Sequence, residues 1–457
     1  MKLKNPSNFF SMITSLSPLD GRYASKVADL VPYFSEYALI KYRLIIEVSW
    51  FMALSAEKGI KELPAFSDKE LKLLENLIAN FDEKEAEKVK AIEKRTNHDV
   101  KAVEYYVKDK LRATSLKKHL EFVHFACTSE DINNLAIAKM IQDAGNKVLL
   151  PTMQELHKKI KELAVKWRNE PMLSLTHGQP ATPTTVGKEF LVFAKGLERQ
   201  IGLLQKQDVM GKINGATGNW NAHYVAYPKV NWLELSKKFV HNLNLVFNAY
   251  TTQIEPHDFQ SEICDGIARF NTILLDLDRD MWMYISRGVF TQKTVAGEVG
   301  SSTMPHKVNP IDFENSEGNL GLANSLLRHM SEKLPISRMQ RDLSDSTVQR
   351  NIGVAWGYSI LAYKSALKGL GKLELNKKVI QEELESNWEL LAEPIQTVLR
   401  KHGVTGAYEK LKELTRGKKV TKELMRDFIK KLSVPKEDKD RLLKLSPATY
   451  IGLADKL

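Results

Sequence analysis

Apolar residues recur every third or fourth position over long stretches of this chain, with polar residues between them. This spacing lays one apolar seam along the side of a helix and suits packing against near-parallel neighbours. Strands would need strict alternation, which is scarce here. We therefore predict an all-α protein with a bundle of long helices at its centre. The three clearest series are Leu149, Met153, Leu156, Ile160, Leu163, Trp167; Phe190, Ala194, Leu197, Ile201, Leu204; and Ile263, Ile267, Phe270, Leu274, Leu277, Met281.

The helical pattern changes character twice. Long heptad helices begin near Lys118, and after about Leu370 the helices become shorter and more basic. We therefore predict three domains: an N-terminal helical domain over residues 1–117, the central bundle over 118–370 and a C-terminal helical domain over 371–457. Residues 226–232 are predicted to form a short extended piece.

Composition places the chain among globular proteins with large cores, because 43% of its 457 residues are hydrophobic and 27% are charged. Cys127 and Cys264 are too few for a disulfide framework and are typical of a reducing compartment, so we predict a cytoplasmic location. The sequence lacks an uncharged apolar run of the roughly 18 residues that a membrane helix needs. The N-terminus has no signal-peptide pattern.

The formal charge is +11 and the isoelectric point is about 9.2. Such a balance can indicate nucleic acid, an anionic membrane surface or anionic small molecules as partners. The basic residues are dispersed among acids, and aromatic residues do not alternate with them as in proteins that stack single-stranded bases. We predict an anionic metabolite as the partner, and neither nucleic acid nor a membrane.

The segment from Gly300 to Pro310 is polar throughout and lies between long apolar helices. It contains adjacent serines, His306, Lys307 and Asn309, and no hydrophobic face can be drawn through it. Reactive side chains on an irregular segment over a rigid scaffold are typical of binding and catalytic sites. The alternative is an ordinary surface turn.

His177 stands among small and turn-forming residues, in the octet that runs from Thr176 to Pro183. A histidine held in this way is exposed and locally fixed, as a proton-transfer group requires. The alternative is a histidine that bonds only to the backbone in a loop before a helix. We favour proton transfer.

Two short polar runs look like helix starts. Thr96-Asn97-His98-Asp99 has an acid three residues after a threonine, which predicts a capping box with Thr96 as the cap. Thr128 and Ser129 are predicted to begin another helix, whose free amides and positive dipole end suit a carboxylate.

Arginines accompany hydroxyl groups at Arg22-Tyr23 and between residues 340 and 350. The planar fork of an arginine matches phosphate and carboxylate oxygens, although surface salt bridging is the commoner role of any single arginine. Histidines lack the partners that a helical metal site needs, and a Walker-type phosphate loop is missing. We predict no metal and no cofactor.

The Gly300–Pro310 string and the Thr176–Pro183 octet together resemble the signature of the fumarase/aspartase superfamily, whose members eliminate fumarate or a close analogue. Within that superfamily, His306 after Met-Pro most resembles the adenylosuccinate lyase family. Tyr23, the Asn-His-Asp run and the Asp-Ser-Thr-Val-x-Arg ending at Arg350 carry the same resemblance. It extends from Arg22 to Arg350.

The resemblance implies a homotetramer whose sites are shared between subunits. It implies elimination of fumarate from adenylosuccinate, giving AMP, and from the succinylated carboxamide ribotide of purine synthesis. Ser301 would be the general base and His177 the general acid, with His98 orienting the substrate; sequence alone does not separate Ser302 from Ser301. The substrate-binding residues implied are Arg22, Tyr23, Asn97, His98, Asp99, Thr128, Ser129, Gln253, Ser302, Lys307, Val308, Asn309, Asn315, Arg341, Ser346, Thr347, Val348, Gln349 and Arg350.

Two other interpretations remain. Another lyase of the superfamily, such as an argininosuccinate lyase, disagrees with His306 and with the arginine cluster. A non-catalytic helical scaffold disagrees with the presence of Ser301, Lys307 and His177 together.

Overall fold

Helices dominate the computed structural model, which describes residues 12–294, 297, 303–304, 306–406, 409, 411–412 and 420–457. The predicted all-α class is confirmed. A π-helical turn at Gly145–Leu149 joins the helix Ser129–Ala144 to the helix Leu150–Lys166. The helices are α1 (Ala24–Val27), α2 (Val31–Phe34), α3 (Glu36–Ser55), α4 (Asp68–Ala79), α5 (Glu83–Thr96), α6 (Asp99–Leu111), α7 (Ser129–Ala144), α8 (Leu150–Lys166), α9 (Val186–Leu204), α10 (Asn221–Ala226), α11 (Trp232–Asn242), α12 (Asp258–Ser286), α13 (Ile311–Lys333), α14 (Ser344–Gln349), α15 (Ile352–Lys372), α16 (Lys377–Glu385), α17 (Ala392–Lys401), α18 (Lys422–Lys430) and α19 (Lys436–Lys444).

The strands of the described residues are short and form two-stranded sheets. β1 pairs with β2 and β5 with β6 in antiparallel fashion, whereas β3 and β4 are parallel. They are β1 (Pro171–Thr176), β2 (Gln179–Thr185), β3 (Met210–Gly211), β4 (Val246–Phe247), β5 (Phe290–Gln292) and β6 (Leu373–Leu375).

The chain divides into two compact units, each assembled from separate segments. The first unit comprises residues 1–153, 200–272 and 318–364, and the second comprises 154–199, 273–317 and 365–457. The three-domain division that we predicted follows sequence order and stays a prediction.

The three apolar series are buried as their spacing predicts. No residue in them is more than 9% exposed, and Met153, Ile267 and Phe270 are 0% exposed. Residues three or four positions apart share one face of a helix, so each seam can be covered by its neighbours.

Helix α3 is at the centre of the first unit, where it packs against α6 and α7. Its apolar residues are buried on several sides, with Trp50 and Phe51 both 0% exposed. Arg43 and Glu47 of the same helix are also buried, at 2% and 0% exposure. Charged groups buried at this depth need partners. The partners of the Arg43 guanidinium line the cavity described below.

The extended piece predicted at residues 226–232 is wrong. Helix α10 ends at Ala226, and α11 begins at Trp232 after a turn. Pro228 cannot continue a helix. The Asn231 side chain then accepts a hydrogen bond from the Glu234 amide at 3.2 Å, which caps the new helix.

Gly187 lies where the start of α9 meets the end of α8, and its amide donates to the Trp167 carbonyl at 2.9 Å. A Cβ at this position would lie 2.7 Å from the Arg168 amide nitrogen and still closer to the Ala164 carbonyl oxygen. Both obstacles are backbone atoms, so neither can rotate away.

Gly187→Ala should therefore lower the free energy of unfolding by about 1–3 kcal/mol, the usual cost of overpacking. Gly202→Ala is the matched control in the same helix, because a Cβ there meets nothing within 4 Å. That control should be neutral or stabilising by up to about 1 kcal/mol. Urea unfolding of both variants measures the difference, and equal stabilities would contradict the close approach.

Candidate functional site

The helix start predicted at Thr128 and Ser129 is confirmed, and α7 begins there with a capping box. Thr128 is the cap, its side chain accepts from the amide three residues on, and its own amide donates to Asp131 Oδ2 at 2.9 Å. Such a box satisfies amides that otherwise lack partners at a helix start. The hydroxyls of Thr128 and Ser129 are thereby fixed at the positive end of α7.

A buried ion pair holds the first turn of α7 in place. Lys212 Nζ lies 2.9 Å from Asp131 Oδ1, and both side chains are 0% exposed. Asp131 also accepts from the amides of Asn214 at 3.0 Å and Gly215 at 3.1 Å. Asn134 of α7 bonds both the amide and the carbonyl of Lys212, at 2.9 and 3.0 Å. These bonds connect residues 212–215 to the first turns of α7.

The turn between α5 and α6 differs from the predicted capping box. Thr96 is the last residue of α5, and Asn97 ends that helix in the left-handed conformation at φ +53°. His98 is the cap of α6, with its Nδ1 accepting from the Lys101 amide at 3.2 Å. The prediction of Thr96 as the cap is therefore wrong, because a left-handed asparagine can end one helix immediately before the next begins.

The two helix starts lie side by side. His98 Nε2 is 3.4 Å from Ser129 Oγ, so the first turns of α6 and α7 present a histidine and two hydroxyls together. The amides at both starts carry partial positive charge, which favours an anion.

Arginines of the 341–350 segment contact acids on these same helix starts. Arg341 Nη1 lies 2.9 Å from Glu130 Oε2. Arg350 Nη2 lies 2.8 Å from Asp99 Oδ2, and its Nη1 is 3.4 Å from Glu36. Each arginine is therefore held by a carboxylate of this unit.

These residues line one cavity of about 720 Å³ within the first unit. This volume is within the range of small-molecule sites. The predicted residues that line it are Asn97, His98, Asp99, Thr128, Ser129, Gln253, Arg341, Ser346, Thr347 and Arg350. Lining residues that sequence reasoning missed are Arg43, Glu93, Val100, Glu130, Asn133 and Leu343.

Four predicted residues of the first unit are not among those that line this cavity. Arg22 stacks over the Tyr23 ring at 5.7 Å, and Tyr23 packs against a small cluster that contains Leu19. Val348 is half-buried, and Gln349 is buried with its Nε2 donating to another glutamine side chain at 3.2 Å.

Charge within the cavity wall is balanced locally. Burial alone would raise the pKa of Asp99, but the Arg43 guanidinium, the Val100 amide and Arg350 outweigh it and lower that pKa to about 2. Burial raises the pKa of Glu130, against the opposing attraction of Arg341. Asp99 is therefore a carboxylate at neutral pH.

Three buried groups beneath the cavity could in principle hold a metal ion. Ligand atoms of Glu130, His257 and Asp345 all lie within 4.8 Å of one another. Arg341 Nη1, however, is 2.9 Å from Glu130 and 3.6 Å from Asp345, so a guanidinium already supplies positive charge there. His257 Nε2 also bonds Asp345 at 3.1 Å. Sequence spacing gave no signal for this cluster, since its members are far apart in the chain.

His177 lies in the second unit, at the tip of the hairpin formed by β1 and β2. His177 and Gly178 are the two turn residues, with φ of +54° and +73°. Two positive φ values suit the right-handed twist of the flanking strands, and glycine favours the second position. His177 is exposed, as predicted. The hairpin itself was missed; its signal in the sequence is the glycine after His177, because glycine favours positive φ.

Of the remaining predicted residues, Lys307, Val308, Asn309 and Asn315 belong to the second unit. Ser301 and Ser302 lie outside the described residues. Lys307 and Val308 are exposed, and the Lys307 amide donates to the Met304 carbonyl at 3.1 Å. Asn309 is half-buried. Asn315 of α13 donates to Ser365 Oγ of α15 at 3.1 Å, which links two helices of this unit.

Comparison with known proteins shows how widely this arrangement occurs. A lyase family model matches residues 21–323, and a model of the adenylosuccinate lyase C-terminal region matches residues 337–451. An adenylosuccinate lyase of Haemophilus influenzae is 56% identical over 98% of this chain and 98% of its own length. One from Escherichia coli K12 is 56% identical over 97% and 98% of the two chains.

Solved structures show the fold at lower identity. A 3-carboxy-cis,cis-muconate lactonizing enzyme of Pseudomonas putida superposes with a TM-score of 0.73 at 18% identity, over 93% of this chain and 94% of that one. A fumarate lyase of Mesorhizobium gives the same TM-score over 94% and 96%.

The fold is the fumarase-like architecture, and the chain matches the lyase family over most of its length. The chain belongs to the adenylosuccinate lyase family. Among the described residues, none of the helices has the length and apolar character required to cross a membrane.

Lys212→Met should test how strongly the buried ion pair supports the α7 start. Removing one partner leaves Asp131 charged and buried, so we expect a loss of about 3–5 kcal/mol in the free energy of unfolding. Lys88→Met is the control, because its pair with Glu85 is on the surface with Lys88 59% exposed. That change should cost less than about 1 kcal/mol. Denaturant unfolding that gives similar values for the two variants would contradict a structural role for the pair.

Proposed function

We propose that this protein eliminates fumarate from adenylosuccinate to give AMP, and also from the succinylated carboxamide ribotide of purine synthesis. The observation that carries this proposal is that one cavity gathers two helix starts, a histidine and three arginines. Relatives that are 56% identical over nearly the whole chain are adenylosuccinate lyases, which supports the same substrate here.

The reaction sets clear requirements. A weakly acidic proton must leave the carbon beside a carboxylate, and the departing nitrogen must gain a proton. Charge in the intermediate spreads into that carboxylate, so donors aimed at it lower the barrier most. The site therefore needs a base, an acid and fixed donors.

The cavity supplies the donors. Thr128 and Ser129, with the amides of the α7 start, suit a succinyl carboxylate. Arg341 and Arg350 each keep nitrogens beyond those that contact acids, and the planar guanidinium matches a phosphate group. His98, which lies 3.4 Å from Ser129, would orient the succinyl arm or the leaving group.

Two further residues would supply the acid and the base. His177 at the exposed hairpin tip is the proposed general acid at the purine-side nitrogen. Ser301 is the proposed base, and Lys307 would stabilise its ionised form when the segment closes over substrate. A serine hydroxyl is too weak an acid to ionise in open water, so closure must exclude water. Gly297, at φ +87°, lies three residues before the Gly300–Pro310 segment.

Four further features belong to the proposal. Tyr23 and Arg22 would contribute to a nucleotide site, and Asn309 and Asn315 to substrate binding. The working protein would be a homotetramer in which loops of several copies complete each site. It would need no cofactor. It would act in the cytoplasm, consistent with only two cysteines in the chain.

Release of fumarate tests the proposed function directly. Purified protein mixed with adenylosuccinate should form fumarate and AMP in equal amounts, followed by absorbance and by chromatography. Argininosuccinate, malate and aspartate in parallel reactions should give none. Fumarate from argininosuccinate alone would replace this proposal with the related lyase, and no fumarate from any of them would favour a non-catalytic scaffold.

Replacement of the acid and of the base should separate their roles. Ser301→Ala should lower kcat by at least about a hundredfold, as loss of a positioned proton-transfer group does. His177→Gln should give a similar loss and remove one limb of the pH–rate profile. Ser302→Ala is the control for the base and should keep measurable turnover with an unchanged profile. If Ser302→Ala is the inactive variant and Ser301→Ala turns over normally, the assignment of the base is reversed.

A further inference from the structure

A continuous chain of charged and polar side chains runs along the wall of the cavity of the first unit. It begins at Arg350, which contacts Asp99 at 2.8 Å, and Asp99 in turn lies 2.8 Å from Arg43 Nη1. Arg43 donates to Asn133 Oδ1 through Nε at 3.1 Å and through Nη2 at 2.6 Å.

The same chain continues on the other side of Asn133. Its Nδ2 donates to Glu130 Oε2 at 3.3 Å, and that oxygen lies 2.9 Å from Arg341. Asp345 is 3.6 Å from Arg341 and 3.1 Å from His257. Three guanidiniums therefore alternate with three carboxyl groups, and a single neutral amide stands in the middle.

The direction of the Asn133 amide follows from its neighbours. A guanidinium has only donors, so the Asn133 oxygen must face Arg43 and its nitrogen must face Glu130. Arg43 is 2% exposed, Asn133 5% and Glu130 4%, so water cannot readily replace either bond. A leucine of similar size would supply neither bond, and an aspartate would supply only the acceptor.

We propose that Asn133 and Arg43 are positioning residues that hold Arg350 and Arg341 as one anion-binding unit for a phosphate monoester. Neither residue needs to touch the ligand. Asn133 fixes Arg43 and Glu130 at once, Arg43 fixes Asp99, and these two acids aim the two arginines at the cavity. The identity of the anion as a nucleotide phosphate rests on the proposed function.

The arrangement gives the buried arginine of α3 and the buried amide of α7 a shared role. Side chains linked in a low-dielectric interior strengthen one another, and an amide left without partners there is costly. A break at Asn133 would release both arginines, whereas a break at either end would release only one.

Binding of AMP and of adenosine separates positioning from general damage, because the two ligands differ only by the phosphate. Asn133→Leu should weaken AMP binding about tenfold or more in calorimetric titration, since bonds to charged groups are lost. Adenosine binding should change by less than about twofold. Arg43→Lys should show the same selective loss and provides a second variant that keeps the charge.

Asn271→Leu is the matched control. Asn271 is 0% exposed in the same unit and bonds Asn324, Ser359 and Tyr363, but it does not line the cavity. This variant should lose stability while the ratio of AMP to adenosine affinity stays as in the wild type.

Two results would overturn the inference: equal weakening of AMP and adenosine in Asn133→Leu, or unchanged AMP binding in both Asn133→Leu and Arg43→Lys. If the variants show the selective loss of AMP binding but the wild-type protein releases no fumarate, only the proposed function is overturned.

Discussion

The ion pair between Lys212 and Asp131 is the constraint on which the rest of the site depends. It is fully buried, and its carboxylate also closes the capping box of α7 and binds the Asn214 and Gly215 amides. Because one carboxylate serves all these groups, the α7 start cannot shift without breaking several bonds together. A buried pair of this kind gains little stability over an apolar core of the same shape. Its effect here is to define one position for the α7 start.

Sequence periodicity predicted the core well because burial depends mainly on which face of a helix a residue occupies. The seams through Met153, Leu197 and Phe270 are buried throughout. Thr128 was also predictable, since a capping box is a local interaction. Arg43, Glu130 and Asn133 were missed because polar residues inside helices usually face solvent. Their roles depend on partners that folding brings from distant segments.

Local rules also explain where prediction failed. At Thr96 the sequence has the pattern of a helix cap. In the structure, however, the left-handed Asn97 separates α5 from α6, and His98 is the cap of α6. Residues 226–232 were predicted to form a short extended piece, whereas the chain forms a turn there that ends at the Asn231 cap of α11. In both places the sequence signals a boundary without specifying its geometry. The His177 hairpin was a third case, in which two positive φ values build a turn from an inconspicuous residue pair.

The alternation of arginines and acids along the cavity wall has a consequence for ligand entry. Each guanidinium already has a carboxyl neighbour, so the wall is close to electrically neutral before any ligand arrives. The fold already holds the cationic side chains in position. Binding of an anion therefore restricts their motion little further. The entropic cost of association is correspondingly smaller. Rigid mimics of the bound anion would benefit most, since flexible ones would still lose freedom of their own on entering a preorganised pocket.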